Sequence, residues 1–258
     1  MSDQSLSPQN IIANLNTHFV GQKVIYYPTL DSTMEAARRE AQWGASAGTI
    51  VVADEQTQGR GRLQRVWISP KGQLAFSLVL RPNMDYLPQM IMISSLAVTY
   101  AIQKITGLRP QIKWPNDVLI GEKKVCGILI ENDIRKNSLN HTVIGIGINV
   151  NMKIAEYLEI STIATSLSDE LGQEISRLLL LRQILIEIED LYYSLPNCDS
   201  ILEQWQRRLG TLGLRVYVNM GDKYYDGVAE SVSKDGSLML RQRDGGLVKI
   251  VAGDVNPK

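Results

Sequence analysis

Apolar positions along the chain switch between a period of two and a period near 3.6, and the switches mark alternating strand and helix candidates. SPQNIIANL predicts a short helix with Ser7 as its cap and Pro8 at its first position. KVIYY reads as a strand, and DSTMEAARREAQWG as a helix in which Ser32 and Glu35 stand at capping-box spacing and Gly44 supplies the stop. TIVVAD and QLAFSLVL are β-rich runs on either side of an arginine- and glycine-rich loop. PQMIMISSLAVTYAIQKITG is apolar almost all round, which predicts a buried helix. Four strands follow in PQIKW, DVLI, KVCGILIEN and HTVIGIGINVN. EISRLLLLRQILIEIEDLYYSL then predicts an amphipathic helix ended by Pro196, with a further helix over about 199–209.

From Gly210 the pattern becomes four short alternating strands, LRVYVNM, YYDGVAESVS, SLMLRQR and LVKIVAG, separated by glycine-containing turns. Strands this short with turns this close predict a small β-barrel. The expected fold is therefore α+β: a mixed sheet flanked by helices over residues 1–209, then a barrel over 210–258.

Composition narrows the function classes. The 258 residues carry 44% hydrophobic and 21% charged positions, which is ordinary for a globular protein. With 27 basic and 27 acidic side chains, the balance argues against an affinity dominated by nucleic-acid phosphates. No apolar run approaches the ~20 residues of a membrane span, and MSDQSLSPQN has neither the basic start nor the apolar centre of a signal peptide. Cys126 and Cys198 form no metal-like cluster or disulfide framework. A cytoplasmic protein with no membrane and no nucleic-acid partner is expected.

The candidate chemistry begins in GRGRLQRVWISP, residues 59–70. Gly59 and Gly61 permit close backbone approach and leave N–H groups exposed between the guanidinium groups of Arg60 and Arg62. Arginine's planar fork matches phosphate and carboxylate oxygens, and Trp67 offers a flat face for a ring. The bland alternative is three solvated arginines and a core tryptophan. KWPNDV, residues 113–118, gathers Lys113, Asn116 and Asp117 around a Trp-Pro step that favours extended backbone. That set suits a polyanion with a divalent cation, Asp117 taking the metal and Lys113 a phosphate. A simple turn, with Asn116 and Asp117 bonding their own backbone, remains open. In GEKKVCGILIE, Lys124 begins a strand and Gly127 marks either a ligand's approach or a bulge. GIGINVN has two glycines of a dinucleotide fingerprint but no long helix or placed acid after it, so that reading fails. Asn149 and Asn151 stay as candidate contacts at the strand's end.

In this order and spacing, DSTMEAA, GRGRLQRVWISP, KWPNDV, KVCGILIE and GIGINVN resemble the biotin protein ligase (biotin–[acetyl-CoA-carboxylase] ligase) family over nearly the whole chain. The resemblance implies a class II synthetase-like catalytic domain followed by an SH3-like barrel. It implies activation of biotin by Mg-ATP to biotinyl-5′-AMP, then transfer to the ε-amine of one lysine on a biotin carboxyl carrier protein or domain. The match is to the monofunctional form, because the roughly 22 residues before the first strand leave no room for an N-terminal DNA-binding helix-turn-helix. By the same resemblance Lys124, Arg62 and Asp117 are catalytic. Biotin is held by Ser32, Thr33, the backbone of Met34 (often Asn in the family), Gln56, Gly59, Arg60, Gly61, Arg62, Lys124 and Gly127. ATP is held by Arg60, Arg62, Trp67, Lys113, Asn116, Asp117 and Asn149, with Asp117 as the candidate Mg²⁺ ligand.

Several bland readings stand beside these. Ser32 serves equally as a helix cap, Arg65 as a structural or solvated side chain, and Cys126 as core. His18 and His141 show no partner pattern. Two other functions stay in view: a lipoate or octanoate ligase or transferase on a similar core, and a non-enzymatic biotin-sensing regulator. Oligomeric state, a homodimer included, leaves no mark in one chain.

Overall fold

Successive residues of the long strands project to opposite sheet faces, and that parity organises the molecule. The computed structural model describes residues 5–221 and 223–257. Ser7 opens α1 (Pro8–Ile12), its Oγ accepting from Asn10 N at 3.2 Å. β1 (Val24–Leu30) crosses through α2 (Thr33–Gln42) to β2 (Ile50–Gln56), a parallel neighbour. β3 (Leu74–Leu80) is antiparallel to β2, and α3 (Leu87–Thr106) ends at Gly107 with φ +75°, a left-handed stop. β4 (Gln111–Lys113), β5 (Asp117–Ile120), β6 (Lys123–Arg135) and β7 (Ser138–Ile148) form an antiparallel meander that returns beside β3. The result is a mixed seven-stranded sheet in the order β1-β2-β3-β7-β6-β5-β4. α4 (Leu167–Leu171), α5 (Arg177–Tyr193) and α6 (Cys198–Arg208) complete this part of the chain.

One face of the sheet sends Val52, Phe76, Leu78, Ile144 and Ile146 into the main core with α3 and α5. The other face meets α2 through Val51, Val79 and Val143, packed on Met34, Ala36 and Ala37. Further along that second face the rows lose their bulk. Val79 gives way to Ser77 and Ala75 on β3, Val143 to Gly145 and Gly147 on β7, and Leu129 to Gly127 on β6. Ser77 pairs with Gly145, Ala75 with Gly147, and Gly147 with Gly127, so these small residues form one contiguous bare patch.

The C-terminal strands are β8 (Arg215–Met220), β9 (Lys223–Val232), β10 (Leu238–Gln242), β11 (Leu247–Ile250) and β12 (Asp254–Pro257). They make an antiparallel sheet in the order β11-β10-β9-β8-β12, an SH3-like arrangement around Val216, Val218, Ala229, Leu240 and Ile250. The four expected strands are present, and the fifth, β12, pairs with β8. Trp114, 1% exposed, fastens this sheet to the β4–β5 turn: its N donates to Thr211 Oγ1 at 2.9 Å and its Nε1 to Gly236 O at 2.8 Å. The Trp114–Pro115 peptide is cis.

Two local expectations give way. Ser32 occupies the N-cap of α2, but its side chain makes no capping bond, and Glu35 pairs with Arg38 and Arg60 instead of reaching back. Two guanidinium groups outcompete one backbone N–H for that carboxylate. The short α4, capped by Ser166 Oγ accepting from Asp169 N, carries too few turns to leave a periodic signal. Among the described residues no helix is long and apolar enough to cross a membrane.

Candidate active site

A cleft of about 1310 Å³ opens over the bare patch, walled by the start of α2, the arginine loop, the β4–β5 turn, the first residues of β6 and strand β12. Its floor is glycine for a steric reason. A Cβ on Gly147 would lie 2.5 Å from Trp67 Nε1, one on Gly127 3.1 Å from Trp67 Cζ3, and one on Gly145 2.5 Å from Met34 Sδ. The indole of Trp67 and the thioether of Met34 therefore rest directly on backbone.

At the α2 end the floor meets a chain of neutral hydrogen bonds. Ser77 Oγ donates to Thr33 Oγ1 at 2.9 Å, Thr33 Oγ1 donates to Gln56 Oε1 at 3.0 Å, and Gln56 Nε2 donates to Ser69 Oγ at 3.0 Å. Thr33 N also donates to Gln56 Oε1, at 2.8 Å. Ser32 lines the cleft beside them, 2% exposed, and its Oγ has no hydrogen-bond partner. A buried hydroxyl without a partner is costly, which marks a place for a ligand's polar group.

The opposite end is charged. Lys124 Nζ lies 2.7 Å from Asp117 Oδ1 and 5.4 Å from the centre of the Trp67 ring. Register explains the meeting: Asp117 pairs with Gly127, so its neighbour strand brings Lys124 within reach across the shift at Val118 and Leu119. Burial pushes the Lys113 ammonium below its ordinary value, and the Asp117 carboxylate partly restores it. Asn116 is used at both ends, its Nδ2 donating to Ile128 O at 2.8 Å and its Oδ1 accepting from Arg62 Nη1 at 2.8 Å. Asn149, 2% exposed, donates from Nδ2 to Thr165 O at 3.0 Å and so braces the strand that ends beside Lys124.

Between these ends lies the arginine loop, closed by the Arg60–Val66 bridge and turned by Leu63 (φ +54°) and Gln64 (φ +60°). Each of its arginines has a different partner: Arg60 pairs with Glu35 of α2, Arg62 with Asn116, and Arg65 with Asp254 of β12. Arg65 is thus a tie between the loop and the C-terminal sheet.

Of the residues the sequence assigned to biotin, ATP or Mg²⁺, all but Gly59 line this one cleft. Asn151, the other candidate contact, lies outside it and holds the segment before α5, its Nδ2 donating to Ile175 O at 2.9 Å and its Oδ1 accepting from Ile175 N at 3.0 Å. Gly59 sits at the neck of the loop, where a Cβ would strike the Trp67 carbonyl and where its own O accepts from Trp67 N at 2.9 Å. Cys126 is fully buried, and burial pushes its thiol well up, as expected of core. The sequence alone does not show Gly145 and Gly147 as floor, Ser77 as the support of Thr33, Glu35 and Asp254 as partners of arginines, or Gln73, which accepts from Trp67 Nε1 at 2.9 Å. The two glycines of GIGINVN stand two apart, a spacing that puts both on one strand face and is the trace the floor leaves in the sequence.

Comparison with known proteins adds lineage to this geometry. The sequence model of the biotin/lipoate A/B protein ligase family matches residues 26–149. The bifunctional ligase/repressor BirA of Bacillus subtilis is 36% identical over 256 residues, spanning 97% of this chain and 78% of that protein. The biotin–[acetyl-CoA-carboxylase] ligase of Paracoccus denitrificans is 33% identical over 82% of this chain and 91% of its own length. The solved structure of biotin protein ligase from Aquifex aeolicus in complex with biotin and ATP superposes with a TM-score of 0.79 at 32% identity. The match covers 92% of this chain and 99% of that one.

Proposed function

The chain belongs to the biotin/lipoate A/B protein ligase family, and from that premise we propose that it is a biotin–[acetyl-CoA-carboxylase] ligase. The observation that carries the reading is the bare floor running from a neutral polar end to a cationic end. Biotin has the same polarity: a ureido ring of donors and acceptors, an apolar chain, and a carboxylate.

In this reading the ureido group meets Ser32 Oγ, Thr33 and Gln56, where the orphaned hydroxyl gains its partner. The chain crosses above Gly145, Gly147 and Gly127, over the Met34 thioether and the Trp67 indole that the missing Cβ atoms let settle against the backbone. The carboxylate reaches Lys124, Arg60 and Arg62. There one of its oxygens attacks the α-phosphorus of ATP, the bond to the bridging oxygen breaks, and pyrophosphate leaves. Fixed cations are what two converging anions require, since they offset the repulsion without reorganising. Lys113 and Asn116 flank the phosphates, and Trp67 offers its ring to the adenine.

Mg²⁺ enters as the counter-ion of ATP. It is commonly held by one or two carboxylates together with substrate phosphates, and Asp117, the carboxylate beside Lys124, fits that pattern. Bound there it would neutralise phosphate charge. In the second step a carrier lysine attacks the acyl carbon, its C–O bond to AMP breaks, and the amine's proton leaves, with Asp117 as the acceptor we assign. Arg62, anchored on Asn116, holds the adenylate until the carrier arrives. The partner is a biotin carboxyl carrier protein or domain, and the setting is the cytoplasm, where ATP and carboxylases meet.

The test is to incubate the protein with ATP, Mg²⁺, a carrier domain and either biotin or lipoate, then weigh the carrier. A biotinyl increment on one lysine is expected. A lipoyl increment, or none with either acid, overturns the reading.

A further inference from the structure

We propose that Gln73 is a positioning residue for biotin binding and activation, acting through the indole of Trp67; this rests on the ligase reading of the cleft. Gln73 is fully buried and immediately precedes β3. By strand parity it continues the row of Ala75 and Ser77, so its side chain lies on the cleft's side of the sheet. There its amide uses both ends on the segment that leaves the arginine loop. Oε1 accepts from Trp67 Nε1 at 2.9 Å, and Nε2 donates to Ile68 O at 2.5 Å. The backbone of Gln73 is itself held, since Arg177 Nη1 donates to its carbonyl at 3.1 Å and to Asp54 Oδ1 at 3.0 Å.

What the clamp holds is the ring that covers the floor. The indole lies on Gly147 and Gly127, and the Lys124 ammonium stands over it. An indole has a single donor and two χ angles, so fixing that donor fixes where the ring stands. Gln73 therefore sets how closely the indole sits on the glycine floor, and with it the depth left above the ring for an acyl chain. It touches neither substrate nor reacting atoms. Losing the clamp leaves the cations of the reaction in place, so binding is affected more than chemistry.

The expected signature has a spectroscopic part and a binding part. In ¹⁵N-labelled protein the indole N–H signal of Trp67, identified by its loss in Trp67→Phe, exchanges more slowly than that of the exposed Trp43. In Gln73→Met, close in size and without a partner for the indole, the Trp67 signal shifts and exchanges faster. By calorimetry, Gln73→Met and Trp67→Phe each weaken biotin about fivefold to tenfold, the effect of about one hydrogen bond. The double variant is no weaker than either single one. In biotin-dependent pyrophosphate exchange the KM for biotin rises while kcat stays within about twofold.

An unchanged indole signal in Gln73→Met, additive losses in the double variant, or a fall in kcat with unchanged KM overturns the assignment. Should Gln73→Met fold poorly, Trp67→Phe removes the indole donor together with part of the ring, and wild-type biotin affinity in that variant is equally fatal. A wild-type protein that binds no biotin would refute the ligase reading instead, and the indole signal would still decide whether Gln73 holds the ring.

Discussion

Lys124 Nζ and Asp117 Oδ1 stand 2.7 Å apart at the cationic end of the glycine floor, so the cleft's central ammonium is already paired before any anion arrives. The pair keeps a partly exposed lysine in place, and in the proposed reading an incoming carboxylate and phosphate then share it. Replacing Lys124 by Ala removes the fixed cation between two anions. Biotin-dependent pyrophosphate exchange should fall by about 10²–10³-fold, the effect of losing one preorganised electrostatic contact. Thermal unfolding should change little, because the side chain is 32% exposed and its ion pair is near the surface. Full exchange in Lys124→Ala would remove Lys124 from the mechanism.

Glu35 gives a prediction of opposite sign. Its carboxylate pairs with Arg60, and with Arg38 on the other oxygen, so in the proposed reading it competes with a ligand's carboxylate for the Arg60 guanidinium. Glu35→Gln removes that competitor and a repelling charge at once. Exposed ion pairs of this kind carry about 0.2–1 kcal/mol, which converts to biotin binding tighter by about 1.4-fold to fivefold. Calorimetry at low and high salt checks it: the gain should shrink as salt screens the pair. Weaker binding in Glu35→Gln would mean that Glu35 presents Arg60 to the ligand.

These two pairs show where sequence reasoning reaches and where it stops. Lys124 and Asp117 were legible because each stands in a compact stretch whose residue types suit anions, and strand register then brings the stretches together. Glu35 has the spacing of a capping box, and position along a helix shows a local partner, not the arginine that a distant loop delivers to it. Gly145 and Gly147 match only part of a dinucleotide fingerprint, whereas the same two-residue spacing shows a strand face cleared of side chains. Gln73 gave no signal, because a buried amide earns its role from the indole folded against it. β12 escaped for a similar reason: four residues of DVNP show no alternation, and pairing with β8 makes them a strand.

The floor itself can be tested without touching a charge. Gly147 has no positive φ, so alanine fits its backbone, but the new Cβ would lie 2.5 Å from Trp67 Nε1. The indole must then move off the floor or break its bond to Gln73. Overpacking of this kind costs about 1–3 kcal/mol, which corresponds to biotin affinity lowered by roughly fivefold to more than a hundredfold. Calorimetry on Gly147→Ala reads it, and Gly44→Ala serves as the control, since a Cβ there meets nothing within 4 Å but the backbone sits at φ +89°. The control should lose stability and keep its affinity. Equal biotin binding by wild type and Gly147→Ala would show that no ligand crosses this floor.

Glu189 tests the scaffold and not the cleft. It lies on α5, 3% exposed, and accepts from the backbone N–H groups of His18 at 2.6 Å, Phe19 at 2.8 Å and Val20 at 2.9 Å, with His18 Nδ1 at 3.2 Å. Burial alone pushes its carboxyl up, but the three backbone donors and the imidazole win, and the folded value is depressed below the ordinary 4.5. A carboxyl with a depressed folded value contributes stability that is complete above about 4.5 and is lost as pH falls through the lower folded value. Glu189→Gln replaces one acceptor oxygen by a donor that faces other donors, at a cost of roughly 2–4 kcal/mol near neutral pH. Denaturant unfolding from pH 7 down to pH 3 should show the wild-type advantage narrowing in the acid range, since the variant has no proton to take up there. A constant gap between the two curves across that range would mean that the Glu189 charge is not what ties the segment before β1 to α5.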